Sequence, residues 1–138
     1  MKFKNHDETR KYADEDIEIL YAECQARRVC NMKVPDNEWS SYDCIINECR
    51  VEVKRRPFDS GRVKSYFIGK DKVDALRKED GRIYAVFLFN DRFFIVDLRK
   101  PFPHSSRRVW NPDQHRYTTQ ENYEVLPSQG QFYRYLAK

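Results

Sequence analysis

Residues 82–89, RIYAVFLF, form a nearly continuous apolar run. A strand with one face in water alternates apolar and polar residues, whereas a strand covered on both faces reads as unbroken hydrophobe. The sequence must therefore supply cover for both sides of a sheet. At 138 residues it can build one sizeable core and not two. NDR (90–92) turns the run into a second strand, FFIVDL (93–98). Two segments have helical spacing. Over 14–30, Ile17, Leu20, Tyr21 and Cys24 fall at i, i+3, i+4 and i+7, with acids crowding the first turn, where the helix dipole favours them. Over 69–81, Val73 and Leu76 give an apolar side and Gly81 a stop. Residues 42–46 and 49–55 are strand-like and joined by Asn47-Glu48; residues 31–34 suggest a further short strand, and 34–41 a loop broken by Pro35. Beyond Pro101 the pattern weakens into an irregular segment, PFPHSSRRVWNPDQHRY, with GQFYRYLAK as a short closing element. The expectation is one α+β domain over 1–138, a mixed sheet flanked by helices in the order α-β-β-α-β-β.

Charge is distributed unevenly. The net charge is only +4, but residues 1–18 carry six acids and four bases, residues 50–64 six bases and two acids, and residues 99–116 five bases and one acid. Local basic concentrations of this kind suit a face that meets a polyanion. No apolar run reaches the roughly 18 residues of a membrane span, and the polar, acidic N-terminus has no signal-peptide core, so a cytoplasmic protein that meets no membrane is expected. Cys24, Cys30, Cys44 and Cys49 lack CxxC spacing; reduced, packed thiols are the expectation, with a four-cysteine zinc site the alternative.

The hairpin at 42–56, YDCIINECRVEVKRR, raises a physical problem. Side chains alternate along a strand, so Val51 and Val53 point one way and Glu52 and Lys54 the other. With Asn47 and Glu48 as the turn, Asp43 falls opposite Glu52 on the same face, with β-carbons roughly 4.5–5.5 Å apart. Like charges there destabilise the sheet, and removal of either carboxylate should cost little stability. A hard divalent cation resolves the repulsion: Mg²⁺, with Mn²⁺ as substitute, can bind both carboxylates while keeping waters and accepting a phosphate oxygen. Lys54, on the same face, can then offset charge developing on a phosphate. No Gly-rich phosphate loop, nucleophile elbow or HExxH pattern is present, and no organic cofactor is expected.

An aspartate followed eight residues later by Glu52-Val53-Lys54, in a hairpin behind an acidic helix, resembles the PD-(D/E)xK nuclease superfamily, which includes restriction endonucleases and archaeal-type Holliday junction resolvases. The resemblance covers a core of about residues 14–98, leaving 99–138 as a basic extension; Tyr42 stands where a proline would complete the motif. It implies a restriction-endonuclease-like sheet, Mg²⁺-dependent hydrolysis of DNA phosphodiester bonds and a homodimer. It also implies metal held by Asp43, Glu52 and the carbonyl oxygen of Val53, with Glu18, or else Glu23, as the helix acid. Arg55, Arg56, Arg62, Lys64, Arg107 and Arg108 would grip phosphates, and Lys72, in preference to Lys70, would face the site.

Two other readings accompany this one. An inert nucleic-acid-binding protein would keep the fold and its basic rim. An unrelated α+β interaction domain would make Asp43, Glu52 and Lys54 a plain surface salt-bridge pattern, and Trp110, His104 and His115 ordinary packing and solvent residues.

Overall fold

The computed structural model describes residues 3–5, 15–29, 31–35, 40 and 42–137. Cys30, Trp39 and residue 14 of the expected first helix lie outside them. The described elements are, in chain order, β1 (Phe3–Asn5), α1 (Glu15–Ala26), β2 (Met32–Pro35), β3 (Cys44–Ile46), β4 (Cys49–Arg55), β5 (Tyr66–Gly69), α2 (Lys70–Arg77), β6 (Ile83–Leu88), β7 (Phe93–Asp97), β8 (His104–Asn111), β9 (Arg116–Val125) and β10 (Gln131–Tyr133). The fold is mixed α+β. Among the described residues no helix is long and apolar enough to cross a membrane.

Seven strands form the main sheet in the order β1-β2-β3-β4-β6-β7-β10, and β5-β9-β8 form a second. Every pairing is antiparallel except β4–β6, which runs parallel from Arg50↔Ile83 to Arg55↔Leu88. A parallel neighbour needs a long crossover; here β5 and α2 supply it. The apolar run thus becomes β6, with one face against α1 and the other against α2 and the second sheet. On the α1 side, Ile17, Leu20 and Cys24 pack with Val51, Val53, Val86, Leu88 and Phe93. On the other, Val73 and Leu76 of α2 and Tyr66, Ile68 and Val125 of the second sheet meet Ile83, Ala85, Phe87 and Phe94. Only Tyr84 within β6 is left half-exposed.

The hairpin register is the expected one: Cys44↔Val51, Ile45↔Arg50, Ile46↔Cys49. Asn47 and Glu48 both have positive φ, 48° and 69°, the geometry of a type I′ turn, whose twist matches that of the flanking strands. Helix α1 ends at Ala26, followed by Arg28 in the left-handed region (φ 58°).

The sequence expectation fails at three places. Pro35 closes β2 instead of breaking a loop. Tyr66–Gly69 forms β5, which was not foreseen. Residues 101–117, expected to be irregular, contribute β8 and the start of β9, which form a long hairpin over 104–125 paired from His104↔Tyr123 to Asn111↔Arg116. Most of this hairpin is solvated on both faces, so it carries no apolar alternation to read.

Candidate active site and basic cleft

Strand alternation sends Glu52 and Lys54 to the α2 side of the sheet, away from α1. Glu52 is buried, 2% exposed, and its neighbours follow from the fold. Lys54, two residues along β4, places Nζ 3.0 Å from Oε1. Lys72, in the first turn of α2, places Nζ 3.5 Å from Oε2. Oε2 is fully buried yet accepts no hydrogen bond. Burial pushes the Glu52 pKa up from 4.5 to about 6; the charge of Asp43 pushes the same way, and Lys54 and Lys72 oppose it.

Asp43 lies just past the end of β3. Its backbone N–H donates to the Val51 carbonyl at 3.0 Å, and its Oδ2 accepts from the Val53 N–H at 2.7 Å. In an extended strand the N–H and C=O of one residue leave on the same edge. Arg50 and Arg56 turn their N–H groups to β6, so Val53, at odd spacing from both, turns its N–H and carbonyl to the β3 edge, beside Asp43. The site therefore gathers two carboxylates, one backbone carbonyl and two ammonium groups. Among the described residues no three His, Cys, Asp or Glu side chains come together as a metal cluster. Any hard cation here would draw its remaining ligands from water and substrate.

Glu18 is not brought to this group. It sits on α1, which covers the opposite face, and the charges that act on Glu52 are those of Asp43, Lys54 and Lys72. Glu23 is committed elsewhere. Buried at 2% exposure, it accepts hydrogen bonds from the backbone N–H groups of Leu136 (2.9 Å) and Ala137 (2.8 Å). Lys70 pairs with Asp74 at 2.6 Å, leaving Lys72 as the α2 lysine on Glu52. Cys24, Cys44 and Cys49 are free thiols.

Lys54 also lines a cleft of about 590 Å³ between β4 and the second sheet. Arg56, Lys64 and Arg107 line it as well, with Gln120 and Asn122, and among the described residues no carboxylate contributes to its walls. Burial, and then the charge of Arg107, lower the proton affinity of Arg56. A guanidinium nevertheless keeps its proton, so two like charges facing one cleft are best relieved by an anion between them. The remaining predicted bases are spread out. Arg62 lies over the Phe58 ring at 5.8 Å. Arg55 points to the α1 side, where its Nη1 lies 3.0 Å from Glu15 Oε2, and Arg108 lies over Tyr117 at 5.2 Å. The chain matches no family model, no curated protein and no solved structure.

Gln120 and Asn122 were not picked out from the sequence. Their signal was the turn tetrapeptide NPDQ between two strand-forming stretches, RRVW and RYTT, which places 118, 120 and 122 on one face. A second cavity, about 320 Å³ on the α1 side, is lined mainly by apolar side chains such as Leu20, Val86 and Phe93, and has no comparable charge arrangement.

Proposed function

We propose that this chain is a Mg²⁺-dependent nuclease that hydrolyses DNA phosphodiester bonds on a restriction-endonuclease-like fold. The observation that carries the reading is a buried glutamate with an unsatisfied oxygen, near Asp43 and joined through Lys54 to a basic cleft with no carboxylate among its described lining residues. The order α1, β3–β4 hairpin, α2, β6 supports it, because that is the order the motif resemblance implies. So does the fit of the oxygens: Oε2 of Glu52 lacks a donor, only Oδ2 of Asp43 is engaged among the described residues, and the Val53 carbonyl faces the same edge. These three groups would hold the metal. Once bound, a divalent ion polarises a phosphoryl oxygen and lowers the pKa of a coordinated water.

The protein's own part in the reaction follows from placement. Arg56, Lys64 and Arg107 draw the phosphate backbone into the cleft by charge, without reading sequence. Lys54 belongs to both cleft and site, so its ammonium can meet the scissile phosphate and offset the charge that grows there. Lys72, on the second oxygen of Glu52, keeps that carboxylate ionised near neutral pH despite its burial. Glu18 has no support from the geometry as a member of the site.

The alternative, an inert nucleic-acid-binding protein, draws on one specific observation: two lysines already neutralise Glu52 without a metal. A cleavage assay on supercoiled plasmid, with Mg²⁺, Mn²⁺ or EDTA, decides between them. Wild type should cut only with metal, and Asp43→Ala and Glu52→Gln should not cut. Lys54→Ala should bind Mn²⁺ by calorimetry while turning over more slowly. Metal-independent binding with no cutting by wild type under any condition would favour the inert protein.

A further inference from the structure

The β8–β9 hairpin projects beyond the strand that anchors it. β5 pairs with β9 only at residues 122–125, so residues 106–121 continue as a two-stranded ribbon, extending roughly 14 Å from Gln120 to Arg116, where the turn begins, at about 3.4 Å per residue. Its two faces differ. Arg107 and Gln120, directly paired, belong to the cleft face. The opposite face carries Arg108, Trp110 and Tyr117. Trp110 and Tyr117 are direct cross-strand partners with ring centroids 5.3 Å apart in an edge-on arrangement, and they are 52% and 58% exposed.

A cross-strand aromatic pair does steady a hairpin, by roughly 0.2–1 kcal/mol. That accounts for the contact between the rings. It leaves their outer surfaces in water, with Arg108 on the same face against the Tyr117 ring; Arg107 and Arg116 stand on the cleft face, where each donates to a glutamine. Two exposed aromatic surfaces with a guanidinium beside them suit one class of ligand, a polyanion whose apolar parts are exposed flat rings. Duplex DNA hides its base faces in the stack, whereas a single strand offers them.

We infer that the ribbon binds unpaired nucleotides, with bases stacked on Trp110 and Tyr117 and a backbone phosphate met by Arg108 on the same face. On the nuclease reading, the substrate is DNA with a single-stranded segment next to the position cut. Only that statement about substrate rests on the nuclease reading; the binding stands independently of it.

The test is fluorescence anisotropy in EDTA, so that nothing is cut, with a labelled oligothymidylate and a labelled blunt duplex of equal length. Trp110→Ala and Tyr117→Ala should each weaken oligothymidylate binding by about 5- to 150-fold, the range for loss of one base–aromatic stack. Trp110→Phe should keep most of the affinity, and duplex binding should change little. In a Trp39→Phe background, oligothymidylate should quench the emission of Trp110, the other tryptophan of the chain. Both rings are exposed, so thermal melts should match wild type and show that the variants are folded. The inference is overturned if wild type does not bind oligothymidylate, if the alanine variants bind it normally, or if both ligands are weakened alike. It is also overturned if Trp110→Ala dissociates a self-associated form by light scattering while oligothymidylate affinity stays intact, since the rings would then be a protein contact. Ring-dependent binding without metal-dependent cutting would reject the nuclease reading alone.

Discussion

Replacing Glu52 with glutamine isolates the electrostatic cost of the buried carboxylate. In the folded chain its pKa is raised from 4.5 to about 6, with burial the largest cause. The folded state therefore holds this proton more tightly than the unfolded state does. The stability it contributes is fully present below pH 4.5 and is lost as pH rises through about 6. A shift of this size corresponds to roughly 2 kcal/mol. Glutamine does not titrate, so the difference in unfolding free energy between wild type and Glu52→Gln should move by roughly 2 kcal/mol in favour of the variant between pH 4 and pH 7. Urea denaturation of both proteins in EDTA across that range measures it, and titrations of carboxylates that do not interact with Glu52 cancel in the difference. A pH-independent difference, or one that moves in favour of wild type, would refute the electrostatic argument. Repeating the series with Mn²⁺ probes the proposed metal site. A ligand at 100 times its Kd stabilises the folded state by about 2.7 kcal/mol, so wild type should gain at pH 7 and Glu52→Gln should not.

Asp43→Ala should cost about 1–3 kcal/mol, because the Val53 N–H loses its acceptor; Asp43→Asn should keep most of that stability while losing metal binding, both measured by thermal melts with and without Mn²⁺. This revises the expectation that either carboxylate could be removed cheaply. Glu48→Gly should stabilise the chain by up to about 1 kcal/mol in denaturant unfolding, since glycine relieves the left-handed backbone at the second turn position. Glu23→Ala strands the N–H groups of Leu136 and Ala137 and should cost roughly 2–3 kcal/mol in denaturant unfolding. Removing the charge of Arg56, Lys64 or Arg107 should lower the log–log salt slope of duplex binding by about one each, whereas Arg55→Ala, on the α1 side, should leave the slope unchanged.

Local pattern made much of the framework legible. The apolar run at 82–89 required cover on both faces and received it, and Asn47-Glu48 set the hairpin register as far as Cys44↔Val51. What stayed hidden depended on distant chain or on the lack of a buried face. β8 and β9 alternate polar with polar over most of their length, so period-2 burial gave no signal. β5 is only four residues long and follows a basic excursion. The position of Lys72 on Glu52 depends on how the crossover returns α2 to the sheet. Glu23 meets amides 113 and 114 residues away, a pairing that no local window contains. Arg55 and Arg56 are adjacent in sequence and look alike, yet one-residue alternation sends one to the acids of α1 and the other to the cleft.

β4 is the central strand of seven, bonded to β3 over residues 49–51 and to β6 over residues 50–55. Amide protons bonded into the sheet at such a position reach solvent only when the whole domain opens, so deuterium should enter residues 51, 52 and 54, whose N–H groups face β3 or β6 within the paired stretch, at the rate set by global unfolding. Beyond residue 121 toward the turn, β9 has β8 as its neighbour and no third strand. That ribbon can fray by itself and should exchange far sooner. Glu52 and Lys54 therefore sit on a fixed anvil, while the segment carrying Trp110 and Tyr117 opens and closes many times within one lifetime of the folded state.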